Sequence, residues 1–295
     1  MMLNNALKPS KLISRLFLYF ELIKPEKTSF YWLNTLAGVF LASNFLPYLS
    51  SSLMACLSIG FTAFSIYALN DVCDEEIDRI NKSNRPISSG RLSKAEALAL
   101  VSVLSTIGIF LASAINPTVL MFVLIYLLLG VAYSVDPLRL KKGIFANVCM
   151  ASGVAVSILA GASVVQITDR ALFGTVAMFF FVWSCGSGKD MKDVEGDRLM
   201  HIKTLPVIIG ERKTMFMFTI NSVLSFSIFF FGYLFNFFNP SYLLLLILAL
   251  IRYMTGLRMM WINPGDQTNC ERAFSKLVPA SMLLLLALIL GSIHI

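Results

Sequence analysis

Charge is scarce in this sequence. Only 14% of its 295 residues are Asp, Glu, Lys or Arg, against 57% hydrophobic, and the mean hydropathy is +0.76. An ordinary globular domain carries about 25% charged residues, so a soluble fold is excluded even though the length alone would allow one or two such domains. Cys56, Cys73, Cys149, Cys185 and Cys270 have no metal-ligand spacing and lie in or beside apolar runs. They read as small apolar fillers, which argues against a thiolate metal site or a disulfide framework. A cleavable signal sequence is also missing: "LFLYF" (16–20) is too short for its apolar core and no small-residue cleavage site follows. No linker or soluble appendage interrupts the chain. Residues 1–295 therefore read as one membrane-embedded domain, with 1–27 as a cytoplasmic and interfacial N-terminal segment.

What is present is a series of long apolar runs. Nine can be counted, at about 28–47, 50–69, 95–115, 117–135, 144–166, 171–188, 214–236, 240–260 and 274–293. Runs of about 20 residues suffice to cross a hydrocarbon core of about 30 Å, and in lipid such runs must be helices to satisfy their own backbone. The predicted fold is all-α, a polytopic membrane protein of nine transmembrane helices around a central cavity. Residues 11–23 differ, mixing Lys11, Arg15 and Glu21 with Leu, Phe and Tyr, the pattern of a helix lying in the interface.

The basic residues fall before run 1 and after runs 2, 4, 6 and 8, while Arg170 alone belongs to the other side. The positive-inside rule then places the N-terminus and the long ionic loops in the cytoplasm and, after nine crossings, the C-terminal "GSIHI" outside the cell membrane. The outer connections "NFLP", "INP", "TDR" and "FNP" are short and nearly uncharged. The net charge of +7 is therefore a matter of orientation and of an anionic substrate, with no nucleic acid implied.

Two of the cytoplasmic loops hold most of the acids. "NDVCDEEID" (70–78) ends run 2 and "KDMKDVEGD" (189–197) ends run 6. At 100° per residue, Asp74, Asp78 and Asp71 fall about 40°, 80° and 100° from Asn70, on one helix face. Glu75, Glu76 and Arg79 point elsewhere. In the second segment Asp197 and Asp193 lie about 20° and 60° from Asp190, with Lys189 on the same arc and Lys192 off it. A solvated charged end that merely stops a helix would account for one such cluster. Two clusters at i, i+4 spacing on one membrane side point instead to a shared task. Carboxylates that face one another suit a hard divalent cation such as Mg²⁺, which bridges one or two carboxylates to substrate phosphates. Arg79, Arg85, Lys141, Lys189 and Lys203 beside the acids suit the remaining oxygens of a diphosphate. A divalent-cation transporter would place its acids near mid-membrane, not at helix ends.

These residues resemble a known family. "NDVCDEEID" matches the NDxxDxxxD pattern, and "DVEGD" (193–197) the DxxxD pattern, of the UbiA-type intramembrane prenyltransferases, and "NRPISSGRLS", "YSVDPLRLKK" and "IKTLPVIIG" extend the likeness along the chain. Lys24-Pro25 departs from the Arg-Pro often found there, so Lys24 is expected to act as a point charge in place of a guanidinium. The resemblance implies Mg²⁺-dependent transfer of a prenyl group from a polyprenyl diphosphate. It implies two Mg²⁺ ions on Asn70, Asp74, Asp78, Asp193 and Asp197, a diphosphate held by Lys24, Arg79, Arg85, Lys141, Lys189 and Lys203, and Tyr133, Asp71 and Asp190 as further pocket residues. The partners are then the diphosphate, membrane lipids and a hydrophobic or lipid acceptor. The first motif is most similar to the members that add geranylgeranyl to geranylgeranylglyceryl phosphate. Aromatic acceptors, as in quinone or chlorophyll-type biosynthesis, and an acceptor-free terpene cyclase share parts of the pattern.

Overall fold

The computed structural model describes residues 11–43, 48–80 and 84–293, with side chains from residue 13 onward, and every regular element among them is a helix. The expected interfacial helix is present as α1 (Lys11–Ile23), with Ile13, Leu16, Phe17 and Phe20 exposed along it. It ends at Lys24, whose φ of 49° is left-handed, and Pro25 then opens α2 (Pro25–Ser43). A proline disfavours helix in the residue before it and is well suited to the first helical position. The turn between α1 and α2 is thus built into "KP".

Each of the nine apolar runs forms a long helix. After α2 come α3 (Leu49–Cys73) with a one-turn continuation α4 (Glu75–Ile80), α5 (Lys94–Ser113), α6 (Pro117–Ser134), α7 (Ala146–Ala162) and α8 (Asp169–Leu199). A short α9 (Leu205–Ile209) precedes α10 (Glu211–Leu234), α11 (Pro240–Ile262) and α12 (Gln267–Gly291). Among the described residues seven are long and apolar enough to cross a membrane, against the nine spans expected; α2 and the 17-residue α7 fall short of that measure. α7 is apolar but one residue short, whereas α2 is the more polar of the two. Both pack among other helices, α2 against α3, α7 and α12, and α7 also against α6 and α8. Along α2 the buried Thr28, Asn34 and Thr35 return hydrogen bonds to the carbonyls of Pro25, Phe30 and Tyr31 of their own helix. Where α2 crosses α7 the backbones nearly touch. A Cβ on Gly38 would lie 2.0 Å from the Ile158 carbonyl oxygen and one on Gly161 1.9 Å from that of Thr35, so both positions require glycine.

The two ends of the bundle are held differently. At the end away from the acidic motifs, the Arg170 guanidinium donates to the carbonyls of Leu41, Phe40 and Ser292, and Asn239 donates to Leu290 and Ile293. At the motif end the ties are ionic: Arg15 to Glu96, Arg91 to Glu21 and Arg198 to Glu211. Ser93 caps α5 in a reciprocal box with Glu96, as the S-x-x-E of "SKAE" predicts. Leu22, Ala68, Val72, Ile87, Leu92 and Ala97 form a small core beneath this surface. Ile87 and Leu92 anchor the stretch "RPISSGRL" there, and that anchoring brings Arg85 over the end of α3.

Candidate active site

The first acidic motif does not continue as one straight helix. The chain breaks at Asp74, between α3 and α4, although Asp74 N–H still donates to the Asn70 carbonyl (3.0 Å) and Asp78 N–H to that of Asp74 (2.8 Å). The kink divides the predicted face into two neighbouring groups. In one, Lys141 Nζ donates to Asn70 Oδ1 (2.9 Å) and Asp74 Oδ1 (2.5 Å), Arg139 donates to Asp74 Oδ1 (3.1 Å), and Asn70 Nδ2 donates to Asp74 Oδ2 (3.2 Å). In the other, Asp71 Oδ1 accepts from Lys24 Nζ (2.6 Å) and Arg85 Nη1 (3.1 Å), and the same Arg85 nitrogen reaches Asp78 Oδ2 (2.8 Å). Asp71 is only 1% exposed, and its Oδ2 is buried without a hydrogen-bond donor. Burial pushes the Asp78 carboxyl above its ordinary range, opposed by Arg85, and lowers the Lys141 ammonium, opposed by Asp74.

The second motif lies along the last turns of α8. Asp190 is buried and accepts from Asn147 Nδ2 of α7 at 2.7 Å, and Asp197 Oδ2 accepts from Thr204 at 2.9 Å. Asp193 has a half-exposed side chain and, among the described residues, Lys192 as its ion-pair partner at 3.8 Å. Lys189 is exposed within electrostatic reach of Asp190 and Asp197. The motifs approach each other by two routes. Lys203 N–H donates to the Lys142 carbonyl (3.2 Å), joining the segment after α8 to the one after α6. Tyr133, half-buried at the end of α6, lies within electrostatic reach of both Asp74 and Asp190.

Of the residues singled out from the sequence, the structure gathers Asn70, Asp74 and Lys141 in one group and Asp71, Asp78, Lys24 and Arg85 in the next. It aligns Asp190, Asp193 and Asp197 on α8, and sets Tyr133 between the motifs. Arg79 is not brought in. It is 65% exposed on α4 and pairs with Glu75, as the helical angles already implied. The Lys203 side chain is exposed and only its backbone joins the site. Sequence reasoning missed Arg139, Asn147 and Thr204. Arg139 lies inside "YSVDPLRLKK" and Thr204 inside "IKTLPVIIG", and both were open to discovery there, whereas Asn147 carries no motif signal.

Among the described residues no three carboxylate, Cys or His side chains are grouped closely enough to hold a metal ion. The donor set is nevertheless all oxygen, and Mg²⁺ ordinarily uses one or two carboxylates completed by water and phosphate, so the residues fit that ion. Two large apolar grooves, between α8 and α10 and between α10 and α11, contain none of the motif residues.

Residues 31–289 match the UbiA prenyltransferase family. The digeranylgeranylglyceryl phosphate synthase of Saccharolobus solfataricus is 31% identical over 93% of this chain and 96% of its own length. That of Sulfurisphaera tokodaii is 31% identical over 92% and 96%. A solved structure of a digeranylgeranylglyceryl phosphate synthase superposes with a TM-score of 0.80 at 25% identity, over 96% of this chain and 100% of that one. A UbiA homolog from Archaeoglobus fulgidus bound to DMAPP and Mg²⁺ shares the fold, with a TM-score of 0.70 at 17% identity over 90% and 98%. The chain therefore belongs to the UbiA prenyltransferase family and is a multi-pass membrane enzyme that transfers prenyl groups.

Proposed function

We propose that the chain transfers a geranylgeranyl group from its diphosphate to geranylgeranylglyceryl phosphate, a step in membrane-lipid biosynthesis. The observation that carries this reading is the 31% identity to digeranylgeranylglyceryl phosphate synthases over more than nine-tenths of the chain. Asn70, Asp74, Asp78, Asp193 and Asp197 would hold two Mg²⁺ ions, which when bound supply positive charge to the leaving diphosphate. Lys24, Arg85, Arg139 and Lys141 already converge on the first motif, and in this reading they clamp diphosphate oxygens as the allylic C–O bond breaks. Lys189 serves the same purpose from the second motif. Tyr133 lines the space between the motifs, and the apolar helices keep water from the allylic cation, which otherwise ends as a prenyl alcohol.

By the positive-inside rule this end of the bundle faces the cytoplasm. All nine long helices then cross, with α2 and α7 enclosed by the others. The experiment is an acceptor panel. The purified protein in lipid, with Mg²⁺ and geranylgeranyl diphosphate, receives geranylgeranylglyceryl phosphate, 4-hydroxybenzoate, homogentisate or no acceptor, and products are identified by mass. A diether formed only with the glyceryl phosphate is expected. A prenylated ring, or a cyclic hydrocarbon in the acceptor-free tube, would replace this reading.

A further inference from the structure

We infer that the two acidic motifs load divalent metal unequally, the second on its own and the first only together with a diphosphate. The inference rests on the metal-and-diphosphate reading above and concerns how the free enzyme reaches that state. Around the first motif stand three carboxylates, Asp71, Asp74 and Asp78, and four cations, Lys24, Arg85, Arg139 and Lys141, which leaves +1. Lys27 lies close enough to Asp71 and Arg85 to join that field, and Glu26 beside it offsets its charge. Glu75, Glu76 and Arg79 of α4 turn away, with Glu75 taken by Arg79 and Lys94, and Asp136, 75% exposed, meets the same Arg139 guanidinium at 3.2 Å and offsets part of its charge.

Each first-motif carboxylate thus already has an ammonium or guanidinium in the place a metal would take. Lys141 on Asp74 and Arg85 on Asp78 are direct hydrogen-bonded ion pairs of 2.5 Å and 2.8 Å. A metal ion arriving alone must displace these cations into a region of like charge. A diphosphate reverses the balance, because its oxygens accept the displaced cations while the carboxylates turn to the metal. The second motif has no such lock. Among the described residues the cations recorded at Asp190, Asp193 and Asp197 are Lys189 and Lys192, which leaves −1, and the Asp193 side chain is 42% exposed with Lys192 at 3.8 Å. Its acceptors are held by neutral donors, Asn147 and Thr204, which compete with a cation far less than an ammonium does.

The test is a Mn²⁺ titration of the full chain in nanodiscs, read from the electron paramagnetic resonance of free Mn²⁺ with and without inorganic pyrophosphate and corrected by a protein-free titration. Without pyrophosphate about one ion per chain is expected, lost in the double variant Asp193→Asn/Asp197→Asn and kept in Asp74→Asn. Pyrophosphate should add a second ion, absent in Asp74→Asn. Lys141→Met should tighten the second ion in the absence of pyrophosphate by on the order of tenfold, the worth of one charge-assisted hydrogen bond, while weakening pyrophosphate itself. Arg139→Gln, whose guanidinium also touches Asp74, is the second variant and should act in the same direction if Lys141→Met does not fold. Two ions of equal affinity without pyrophosphate would overturn the inference and leave the metal-site reading intact. No bound Mn²⁺ at any pyrophosphate concentration would overturn both.

Discussion

Asp74 is gripped by Lys141 at 2.5 Å and Arg139 at 3.1 Å, while Asp193, on the second motif, has Lys192 at 3.8 Å as its ion-pair partner among the described residues. The two motifs share a residue pattern and an end of the bundle, yet one is a dense network of opposite charges and the other is open. The difference follows from the chain around them. The first motif ends a helix against the loops that carry Lys24, Arg85, Arg139 and Lys141. The second runs along the last turns of a 31-residue helix whose acids meet an asparagine and a threonine. Near-neutral pairing lets the first cluster sit half-buried at modest cost, since a buried charge is tolerated when paired. In the second, exposure does the same for Asp193, and the Asn147 hydrogen bond for the buried Asp190.

The largest expected effect is shared by both motifs. Asp74→Ala and Asp193→Ala should each lower the rate of prenyl transfer by at least about 10²-fold, the loss typical of one electrostatic stabiliser of a developing charge. Product mass measured over time, beside an unchanged elution profile in detergent, checks it. Near-normal turnover in either variant would end the pairing of the motifs as one site. Stability should separate them. Arg139→Gln combined with Lys141→Met leaves Asp74 half-buried with only Asn70 as partner, and should cost about 1–3 kcal/mol, more than the two single changes together. Asp193→Ala, which removes an exposed and nearly unpaired charge, should change thermal unfolding by less than about 0.5 kcal/mol. Equal losses would mean that the contrast in ion pairing has no energetic content. A smaller effect is expected from Thr204→Ala, which takes one neutral donor from Asp197 and should cost about 1 kcal/mol, with a several-fold loss of turnover.

The helices were legible in the sequence because apolar runs and helical length coincide, and so was the choice of residues on each motif, which needs only 100° per residue. Even the angular order was informative: Asn70 with Asp74, and Asp78 with Asp71, are neighbours on the wheel and are the pairs the structure separates. What the sequence did not disclose is how the cations are allotted. Lys24 meets Asp71 across 47 residues and Lys141 meets Asp74 across 67, and no local pattern encodes such pairings. The break at Asp74 escaped for a related reason. The i, i+4 hydrogen bonds continue through it, so the residues around it satisfy helix preferences while Asp74 itself leaves helical dihedrals. Asn147 was invisible because a lone asparagine in an apolar run is ordinary until the helix facing it is known.

Arg79 and Arg85 sharpen the comparison at its smallest scale. They are six positions apart, both follow the first motif, and composition alone would give them one role. Arg85 is carried back over α3 by the anchoring of Ile87 and Leu92, and it reaches Asp71 and Asp78 at 3.1 Å and 2.8 Å. Arg79 stays on α4, with its guanidinium mostly in solvent and Glu75 at i−4 as its partner, a pair of a kind worth about 0.3–0.5 kcal/mol. Arg79→Ala should therefore leave transfer within about twofold and stability within about 0.5 kcal/mol. Arg85→Ala strips one of two cations from a carboxylate that is 1% exposed and should lower both. Steady-state rates at fixed donor concentration and thermal unfolding of the two variants, side by side, decide it. If Arg79→Ala proved as damaging as Arg85→Ala, α4 would have to turn its exposed face toward the diphosphate during the reaction. The kink at Asp74 would then be a hinge rather than a fixed bend.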